Sequence, residues 1–352
     1  MSMVGELTYF LGLQIKQMED STFLSQSKYA KNIVKKFGMD NASHKRTPAP
    51  THLKLSKDEG GISVDQSLYR SVIGSLLYLK ASRPDIAFAV GTCARYQAEP
   101  KVSHLNQVKR IFKYVNGTSD YGILYTHGCD PILTGYCYAD WAGSANDRKS
   151  TSGGYFFLGN NLISWLSKKQ NCVSLSTTEA EYIAAGSSCS QLNVMTLYCD
   201  NLSAINISKN PIQHSRTKHI DIRHHFIREL VKDKVICLEH VSTELQLAGI
   251  FTKAIDATQF ENLRSKTSPS SLENDGGLSF SRNGDGRQRS TVESSPIKFL
   301  SSHLSSSTFS VSPSQLLSLQ LIVLVSLQTA PEKELTQRCF FRLKIDPVKE
   351  IA

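Results

Sequence analysis

The pattern of hydrophobic and polar positions predicts a chain of the α/β class. Short alternating runs indicate strands, and longer runs with an apolar residue at every third or fourth position indicate helices. Proline and glycine punctuate residues 44–66, which are therefore predicted to be a loop. The predicted strands are Phe10–Ile15, Ser21–Leu24, Leu133–Asp140, Thr151–Leu158, Asn161–Leu166, Val194–Asp200 and Val235–Val241, and the predicted helices are Ser27–Phe37, Ser67–Leu79, Pro84–Tyr96, Ser103–Gly117, Glu179–Leu192 and a basic segment over 214–232.

Three acidic residues stand where predicted elements begin or end. Asp140 ends a strand, and Glu179 opens a helix behind the capping run Ser176–Thr178. That helix travels roughly 20 Å at about 1.5 Å per residue. The segment that returns to Asp200 covers a similar distance at roughly 3.3 Å per residue. Asp200 is therefore expected level with Glu179, beside the strand that ends at Asp140.

Convergence of three acids at one point favours a bound cation, since like charges repel and hard divalent ions prefer oxygen ligands. Mg²⁺ ions held in this way activate water and stabilise a leaving oxygen, which is the chemistry of phosphodiester cleavage. The alternative is that the acids are unrelated surface residues, each capping its own element. The sharper hypothesis is a nuclease.

Several short sequence motifs, taken in their order along the chain, resemble the ribonuclease H domain of copia-type retrotransposon polyproteins. Upstream, Tyr69–Leu79 and Ser82–Phe88 resemble the segment that joins the family's reverse transcriptase to its ribonuclease H, and Gly5–Leu13 resembles the strand pair after the polymerase palm. The resemblance runs through most of residues 1–266. The motifs that resemble the ribonuclease H domain are Tyr138–Ser144, Arg148–Tyr155, Ser176–Tyr182, Cys199–Asn201 and His214–His225.

The resemblance implies a ribonuclease H-like mixed sheet with flanking helices, within four segments. Residues 1–66 are expected to be the end of a reverse transcriptase, and residues 67–130 a helical connection. Residues 131–266 are the expected ribonuclease H-like domain. Residues 267–352, rich in serine, are expected to form a disordered tail.

The resemblance also implies roles for particular residues. Asp140, Glu179 and Asp200 match the first three metal-binding carboxylates of the family, which holds two Mg²⁺ ions. The fourth acid belongs to a Gln-Leu-Ala-Asp-Ile-Phe-Thr-Lys motif, but this chain has Gly249 at that position. Glycine offers no side-chain ligand, so we expect a weakened second metal site.

Two further departures from the family pattern concern missing segments. About fifteen residues of helix and turn are absent between Leu192 and Asn193, judged from the family pattern, although the short connection can still close. The polymerase Asp-Asp motif and its palm are also absent, so no DNA synthesis by this chain is expected. We expect a damaged domain that is still able to fold.

Charge and composition agree with an intracellular nucleic-acid enzyme. The chain has 40 basic and 31 acidic residues, and its excess of +9 suits a phosphate-backbone partner. Eight cysteines without a Cys-x-x-Cys pair argue against a zinc ribbon or a redox motif. The amino end lacks a secretory pattern, so cytoplasm or nucleus is expected. We expect no membrane partner and no small-molecule cofactor.

Basic residues supply the candidate contacts with nucleic acid. Lys109, Arg110 and Lys113 lie away from the apolar stripe of their predicted helix, and they either touch a strand or form an ordinary solvated face. Lys168 and Lys169 are open to the same two interpretations.

The expected ancestral activity is Mg²⁺-dependent endonucleolytic cleavage of RNA in RNA·DNA hybrids, impaired here by the glycine and the shortened helix. A nucleic-acid-binding remnant without catalysis is the alternative from another class. A product with no folded state is a third possibility.

Overall fold

A computed structural model describes residues 8–130, 132–189, 195–210, 220 and 225–266. The strands are β1 (Tyr9–Phe10), β2 (Leu13–Gln17), β3 (Ser21–Ser25), β4 (Gly122–Thr126), β5 (Leu133–Ala139), β6 (Thr151–Leu158), β7 (Asn161–Lys169), β8 (Met195–Cys199) and β9 (Ile236–His240). The α-helices are α1 (Ser27–Lys36), α2 (Gln66–Leu79), α3 (Ala87–Ala94), α4 (Val102–Gly117), α5 (Thr177–Cys189), α6 (Leu202–Lys209), α7 (Phe226–Lys232) and α8 (Ala257–Ser265). Short 3-10 helices lie at Pro84–Ile86, Thr243–Leu245 and Leu247–Phe251.

The first sheet, in the order β1-β2-β3-β4, is antiparallel and joins distant parts of the chain. β3 pairs with β4 so that Phe23 lies opposite Leu124. The side chain of Asn161 continues this edge towards β7, since its Oδ1 accepts from the backbone N–H of Thr126 at 2.8 Å and its Nδ2 donates to the Thr126 carbonyl at 2.9 Å. The first sheet is thereby tied to the second.

The second sheet has the order β7-β6-β5-β8-β9. β7, β6 and β5 form an antiparallel meander, whereas β8 runs parallel to β5, and β9 parallel to β8. Parallel strands end at the same edge of a sheet, so the residues after β5 and β8 lie at one edge. That edge carries Asp140 and Asp200.

Small side chains hold α5 close to the sheet. Ala139 of β5 packs against Ala180 and Ala184 of α5, and all three are buried. Ala180 and Ala184 are one turn apart on the helix and therefore share a face. Further along the sheet, a larger buried core fills the space around α5. Its members include Phe156, Tyr182, Leu197, Ile227 and Leu238.

The 3-10 helix Leu247–Phe251 approaches the sheet at a glycine. A β-carbon on Gly153 would lie 2.7 Å from the carbonyl oxygen of Ala248, so a larger residue there would push the 3-10 helix away. The buried amide of Gln246 donates to the Cys137 carbonyl at 3.0 Å and accepts from the Ala248 N–H at 3.2 Å. These contacts bring the segment with Gly249 to β5 and β6.

A buried ion pair anchors the helices that precede the second sheet. Arg83 binds Asp85 through two hydrogen bonds of 2.9 and 2.7 Å, and both side chains are almost fully buried. Asp85 also accepts from the Tyr114 hydroxyl at 2.5 Å, and Arg83 donates to the Thr118 carbonyl at 2.7 Å. The guanidinium holds the pKa of Asp85 below its usual range in spite of burial. The network fixes α4 to the turn before α3.

The expected α/β, ribonuclease H-like architecture is confirmed by the mixed five-stranded sheet and its helices. β4, α6 and α8 were not predicted from the sequence, while the strand pair near the amino end is present as β2 and β3. The expected shortened connection after α5 and the serine-rich tail lie outside the described residues, and the four segment boundaries stay predictions. Among the described residues, no helix has the length and apolar character needed to cross a membrane.

Candidate active site

Glu181, on α5, places its carboxylate at the end of the β5–β8 pair. The side chain is 4% exposed, and its Oε1 accepts a 2.9 Å hydrogen bond from the backbone N–H of Ala139. Burial, with the nearby Cys199 and Asp200, raises the pKa of Glu181 well above its usual range, and the hydrogen bond from Ala139 offsets only part of this. A buried carboxyl so placed favours a neighbouring cation.

Asp200 joins Glu181 directly after β8. The possible metal-ligand atoms of Glu181, Cys199 and Asp200 all lie within 4.8 Å of one another. Among the described residues, no other set of three acidic, histidine or cysteine side chains comes this close together. The Thr243 hydroxyl donates to Asp200 Oδ2 at 3.0 Å. The Cys199 thiol, fully buried, contacts Glu181 Oε2 at 4.0 Å. The two carboxylates therefore form the acidic centre of this edge.

Tyr138 stands beside this pair, on β5. Its hydroxyl accepts a 2.8 Å hydrogen bond from Lys253 Nζ, which also lies 4.8 Å from the centre of the tyrosine ring. Burial raises the pKa of Tyr138, and the charges of Glu181 and Asp200 raise it further, against the effect of Lys253. The phenol thus stays neutral at physiological pH and adds no negative charge to the centre.

Asp140 has a different environment, although it follows β5 immediately. Its Oδ1 accepts a short hydrogen bond from the backbone N–H of Thr151, which closes the loop between β5 and β6. Burial raises the pKa of Asp140 to about 6, and the Thr151 hydrogen bond and the nearby Arg95 guanidinium reduce this effect. Trp141 comes next and is 52% exposed, with its indole N–H donating to the Ser174 carbonyl at 3.3 Å.

Glu179 lies at the start of α5 and binds backbone there. Its Oε2 accepts from the Leu175 N–H at 2.6 Å, while its own N–H donates to Ser176 Oγ at 3.1 Å. The expected trio of Asp140, Glu179 and Asp200 does not form a group within 4.8 Å. Glu181 is the acid of α5 that reaches Asp200. Because residues two apart on a helix point to opposite sides, only one of the two glutamates can face the strand ends.

The sequence contains one signal that bears on the choice between Glu179 and Glu181, although it does not decide it alone. Ala180 and Ala184 form a stripe of small residues that allows close contact with a strand, and Glu181 flanks that stripe. The distance argument could not separate Glu179 from Glu181, because two residues of helix amount to about 3 Å along its axis. Tyr138 was also missed, since a tyrosine in an alternating strand is expected to pack and gives no sign of an acidic neighbourhood.

The position of Gly249 is open. A β-carbon there would meet no heavy atom within 4 Å, so a side chain can be accommodated. Lys253, which contacts Tyr138, lies one turn further along. The edge thus combines the carboxylates of Asp140, Glu181 and Asp200 with one phenol and one ammonium group.

The candidate nucleic-acid residues fall into two places. Lys109, Arg110 and Lys113 lie on α4 and line a cavity of about 430 Å³. Lys169 at the end of β7 forms an ion pair with Asp147 at 2.9 Å, and Lys168 beside it is exposed. Lys168 and Lys169 do not line that cavity.

The sheet order and the acids at the ends of β5 and β8 define a ribonuclease H-like protein. Comparison with known proteins gives the family. The chain is 40% identical over 281 residues to the Retrovirus-related Pol polyprotein from transposon TNT 1-94 of Nicotiana tabacum, covering 73% of this chain and 21% of that protein. It is 39% identical over 276 residues to the polyprotein from transposon RE1 of Arabidopsis thaliana, covering 74% of this chain and 19% of that protein.

A shorter relative is covered more completely. The chain is 40% identical over 190 residues to the uncharacterized mitochondrial protein AtMg00810 of Arabidopsis thaliana, covering 54% of this chain and 78% of that protein. The chain is homologous to retrovirus-related Pol polyproteins of copia-type transposons over about three quarters of its own length, and it spans about a fifth of the length of those polyproteins.

The comparisons with family models and with solved structures contribute less to the assignment of the family. No family model matches the chain. Among solved structures, ribonuclease H1 from Halobacterium salinarum is 13% identical with a TM-score of 0.27, covering 34% of this chain and 94% of that chain. LC11 ribonuclease H1, solved in complex with an RNA/DNA hybrid, is 12% identical with the same TM-score of 0.27, covering 34% of this chain and 93% of that chain.

Proposed function

We propose that this protein binds RNA·DNA hybrids and cleaves the RNA strand weakly, with a single divalent ion, Mg²⁺ in the cell, held by Glu181 and Asp200. The observation that carries the proposal is the meeting of these two carboxylates at the shared edge of β5 and β8. The family relationship and the net charge of +9 support a nucleic-acid partner. Recognition of a hybrid rests mainly on shape, backbone and 2′-hydroxyl contacts.

The residues present fit one hard cation. Carboxylate oxygens are the ligands that Mg²⁺ prefers, and one or two of them with several waters complete its octahedral shell. Neutralisation by a cation offsets the cost of ionising the buried Glu181 beside Asp200. The buried thiol of Cys199 also lies near these carboxylates, but it is a soft ligand that a hard cation does not favour. A bound ion supplies an activated water and stabilises the leaving oxygen.

Three features of the edge weaken this centre. Gly249 removes one carboxylate from the family pattern, and the nearby Tyr138 contributes a neutral phenol in place of a charged ligand. Lys253 adds a positive charge 2.8 Å from that phenol and lowers the pKa of Glu181, so it competes electrostatically with a bound ion. Asp140, the third acid of this edge, accepts a hydrogen bond from the Thr151 N–H, and a pair of ions sharing carboxylates needs more acids than Glu181 and Asp200 provide. We therefore propose slow, single-ion cleavage.

A hybrid-cleavage assay with a labelled RNA strand tests the proposal. Wild type should cleave slowly in Mg²⁺ and stop in EDTA. Glu181→Gln should lower the rate at least about 100-fold, because a metal ligand contributes several kcal/mol to transition-state stabilisation. Glu179→Gln is the matched control, since it makes the same chemical change two residues away, and it should stay within about threefold of wild type at a temperature where both are folded. Equal loss in the two variants, or cleavage that persists in EDTA, would contradict the assignment.

Gly249→Asp asks whether the missing carboxylate limits the reaction. Its side chain enters open space, so folding should be preserved, and we expect faster cleavage and saturation at lower Mg²⁺ concentration. Gly249→Asn, which adds similar volume without charge, should leave the rate near that of wild type. A rate for Gly249→Asp no higher than for Gly249→Asn would show that this position does not reach the ion.

The second candidate function is hybrid binding without cleavage, and the lysine–tyrosine contact at the acidic edge favours it. In that case wild type binds hybrid in EDTA with a salt-sensitive affinity and shows no Mg²⁺-dependent cleavage. Measured binding together with absent cleavage by both wild type and Gly249→Asp would select this function over the first.

A further inference from the structure

A basic cavity of about 430 Å³ lies between α4 and the loop that precedes α2. Residues 103, 106, 110 and 113 follow one another at three- and four-residue intervals, so they line one face of α4. Lys45, Leu53 and Leu55 form the opposite wall. The cavity is separate from the acidic edge, because it shares no lining residue with it.

The charge of the lining has one sign. Lys45, Lys109, Arg110 and Lys113 give it four cations, and no lining residue is acidic. Within the part of the chain that the structure describes, none of the four forms an ion pair, whereas neighbouring Arg46 is paired with Glu261 at 2.6 Å. Unpaired cations facing one cavity repel one another, and an anion would remove that repulsion.

Arg110 is held in place on one wall of the cavity. Its Nη2 donates to Thr47 Oγ1 at 2.9 Å, and the Thr47 hydroxyl is itself fixed by donation to the Ala49 carbonyl at 2.7 Å. Its Nε–H is buried and has no hydrogen-bond partner among the residues that the structure describes. A buried N–H without a partner is costly, and a guanidinium presents its donors in a fork that suits phosphate oxygens.

We propose that this cavity binds backbone phosphates of the nucleic acid that reaches the acidic edge, an inference that rests on the proposed function. The volume exceeds the needs of one phosphate, and Lys109 and Lys113 are spaced about 6 Å along the helix. Several cations spread along one wall suit a chain of phosphates. Leu53 and Leu55 provide apolar surface for the sugars between them. The cavity contributes affinity and carries no sequence information.

Binding of a fluorescently labelled RNA·DNA hybrid, measured by anisotropy in EDTA at several salt concentrations, tests the proposal without any cleavage. The double variant Arg110→Gln/Lys113→Gln should bind at least about tenfold more weakly at physiological salt. Its salt slope should fall by about 2, roughly one for each phosphate that is no longer neutralised. Lys28→Gln/Lys35→Gln is the matched control, since it removes two exposed charges from α1, and it should change affinity less than about twofold.

Two further variants separate charge from geometry and guard against misfolding. Arg110→Lys keeps the charge but loses the fork, and it should weaken binding about threefold or more. Lys45→Gln/Lys109→Gln changes two exposed side chains, so it should fold normally and still reproduce the lowered salt slope. Glu181→Gln should bind hybrid at least as tightly as wild type, which keeps this test independent of the acidic edge.

Inorganic pyrophosphate distinguishes a nucleic-acid strand from a free phosphate compound. It should compete with hybrid only weakly, at millimolar concentration, and calorimetry should show its binding abolished in the Arg110→Gln/Lys113→Gln variant. Pyrophosphate binding tighter than hybrid binding would overturn the assignment to a strand. Pocket variants indistinguishable from the α1 control would overturn the cavity as a site while leaving cleavage intact. Failure of wild type to bind hybrid at all would overturn both proposals.

Discussion

Replacing Asp140 by asparagine should stabilise the protein at neutral pH. Burial raises the pKa of this carboxyl from 3.8 to about 6 in the folded protein. A carboxyl that binds its proton more tightly when folded makes the free energy of unfolding decrease as pH rises from about 4 through about 6. Above that pH range, the raised pKa lowers the free energy of unfolding by up to about 3 kcal/mol, since each pKa unit corresponds to about 1.36 kcal/mol.

Asparagine keeps an oxygen that can accept from the Thr151 N–H and has no charge to desolvate. Urea unfolding of both proteins at about pH 7 and about pH 3.5 gives the comparison. We expect the variant to be up to about 3 kcal/mol more stable at the higher pH and nearly equal to wild type at the lower pH. Lower stability of the variant at pH 7, or an equal gain at both pH values, would refute burial as the cause.

Asp147 in the same loop is the control of opposite sign. Hydrogen bonds from Ser144 and Lys169 lower its pKa to about 2 against the effect of burial. Its contribution to stability is therefore present above about pH 4 and is lost as pH falls towards 2. Asp147→Asn should thus destabilise the protein at pH 7. The effect should stay below about 1 kcal/mol, because the side chain is 36% exposed and solvent screens the charge.

Two other expectations concern stability and substrate position. Asp85→Asn leaves the buried Arg83 without its counter-charge and should lower the free energy of unfolding, measured in urea, by about 3–5 kcal/mol. Lys31→Gln, which breaks an exposed ion pair, should lower it by at most about 1 kcal/mol. Similar losses in the two variants would contradict the role of the buried network as an anchor. Hybrid lying over the acidic edge should protect the exposed Trp141 from acrylamide quenching, and the signal reports on Trp141 because the chain's other tryptophan, Trp165, is buried. The protection should vanish in Trp141→Phe. Quenching that saturating hybrid leaves unchanged would place the substrate elsewhere.

Local pattern predicted much of this fold and missed its non-local parts. The meander β5–β7 and the helix α5 follow from alternation, turn residues and a capping run. β4 was missed because its partner β3 lies about a hundred residues earlier, and pairing at that distance leaves no local signal. The lengths of the helix and of the returning strand predicted that β5 and β8 end at the same edge of the sheet. The parallel pairing of these two strands has this arrangement.

The identity of the side chains at that edge required the structure. A helix start can be recognised from Ser176–Thr178, but the rotation of the helix decides whether Glu179 or Glu181 faces the strands. That rotation is set by the packing of Ala180 and Ala184 on Ala139. The electrostatic neighbourhood of Tyr138 depends in the same way on contacts with Lys253 and Glu181, residues distant in sequence.

Diffraction from crystals soaked in Mn²⁺ tests the location of the metal centre most directly, because the anomalous signal of manganese marks the ion itself. We expect one peak at coordination distance from both the Glu181 and Asp200 carboxylates, and its disappearance in Glu181→Gln crystals. A peak at Glu179, a peak in the Asp140–Thr151 loop, or no peak between Glu181 and Asp200 would contradict it.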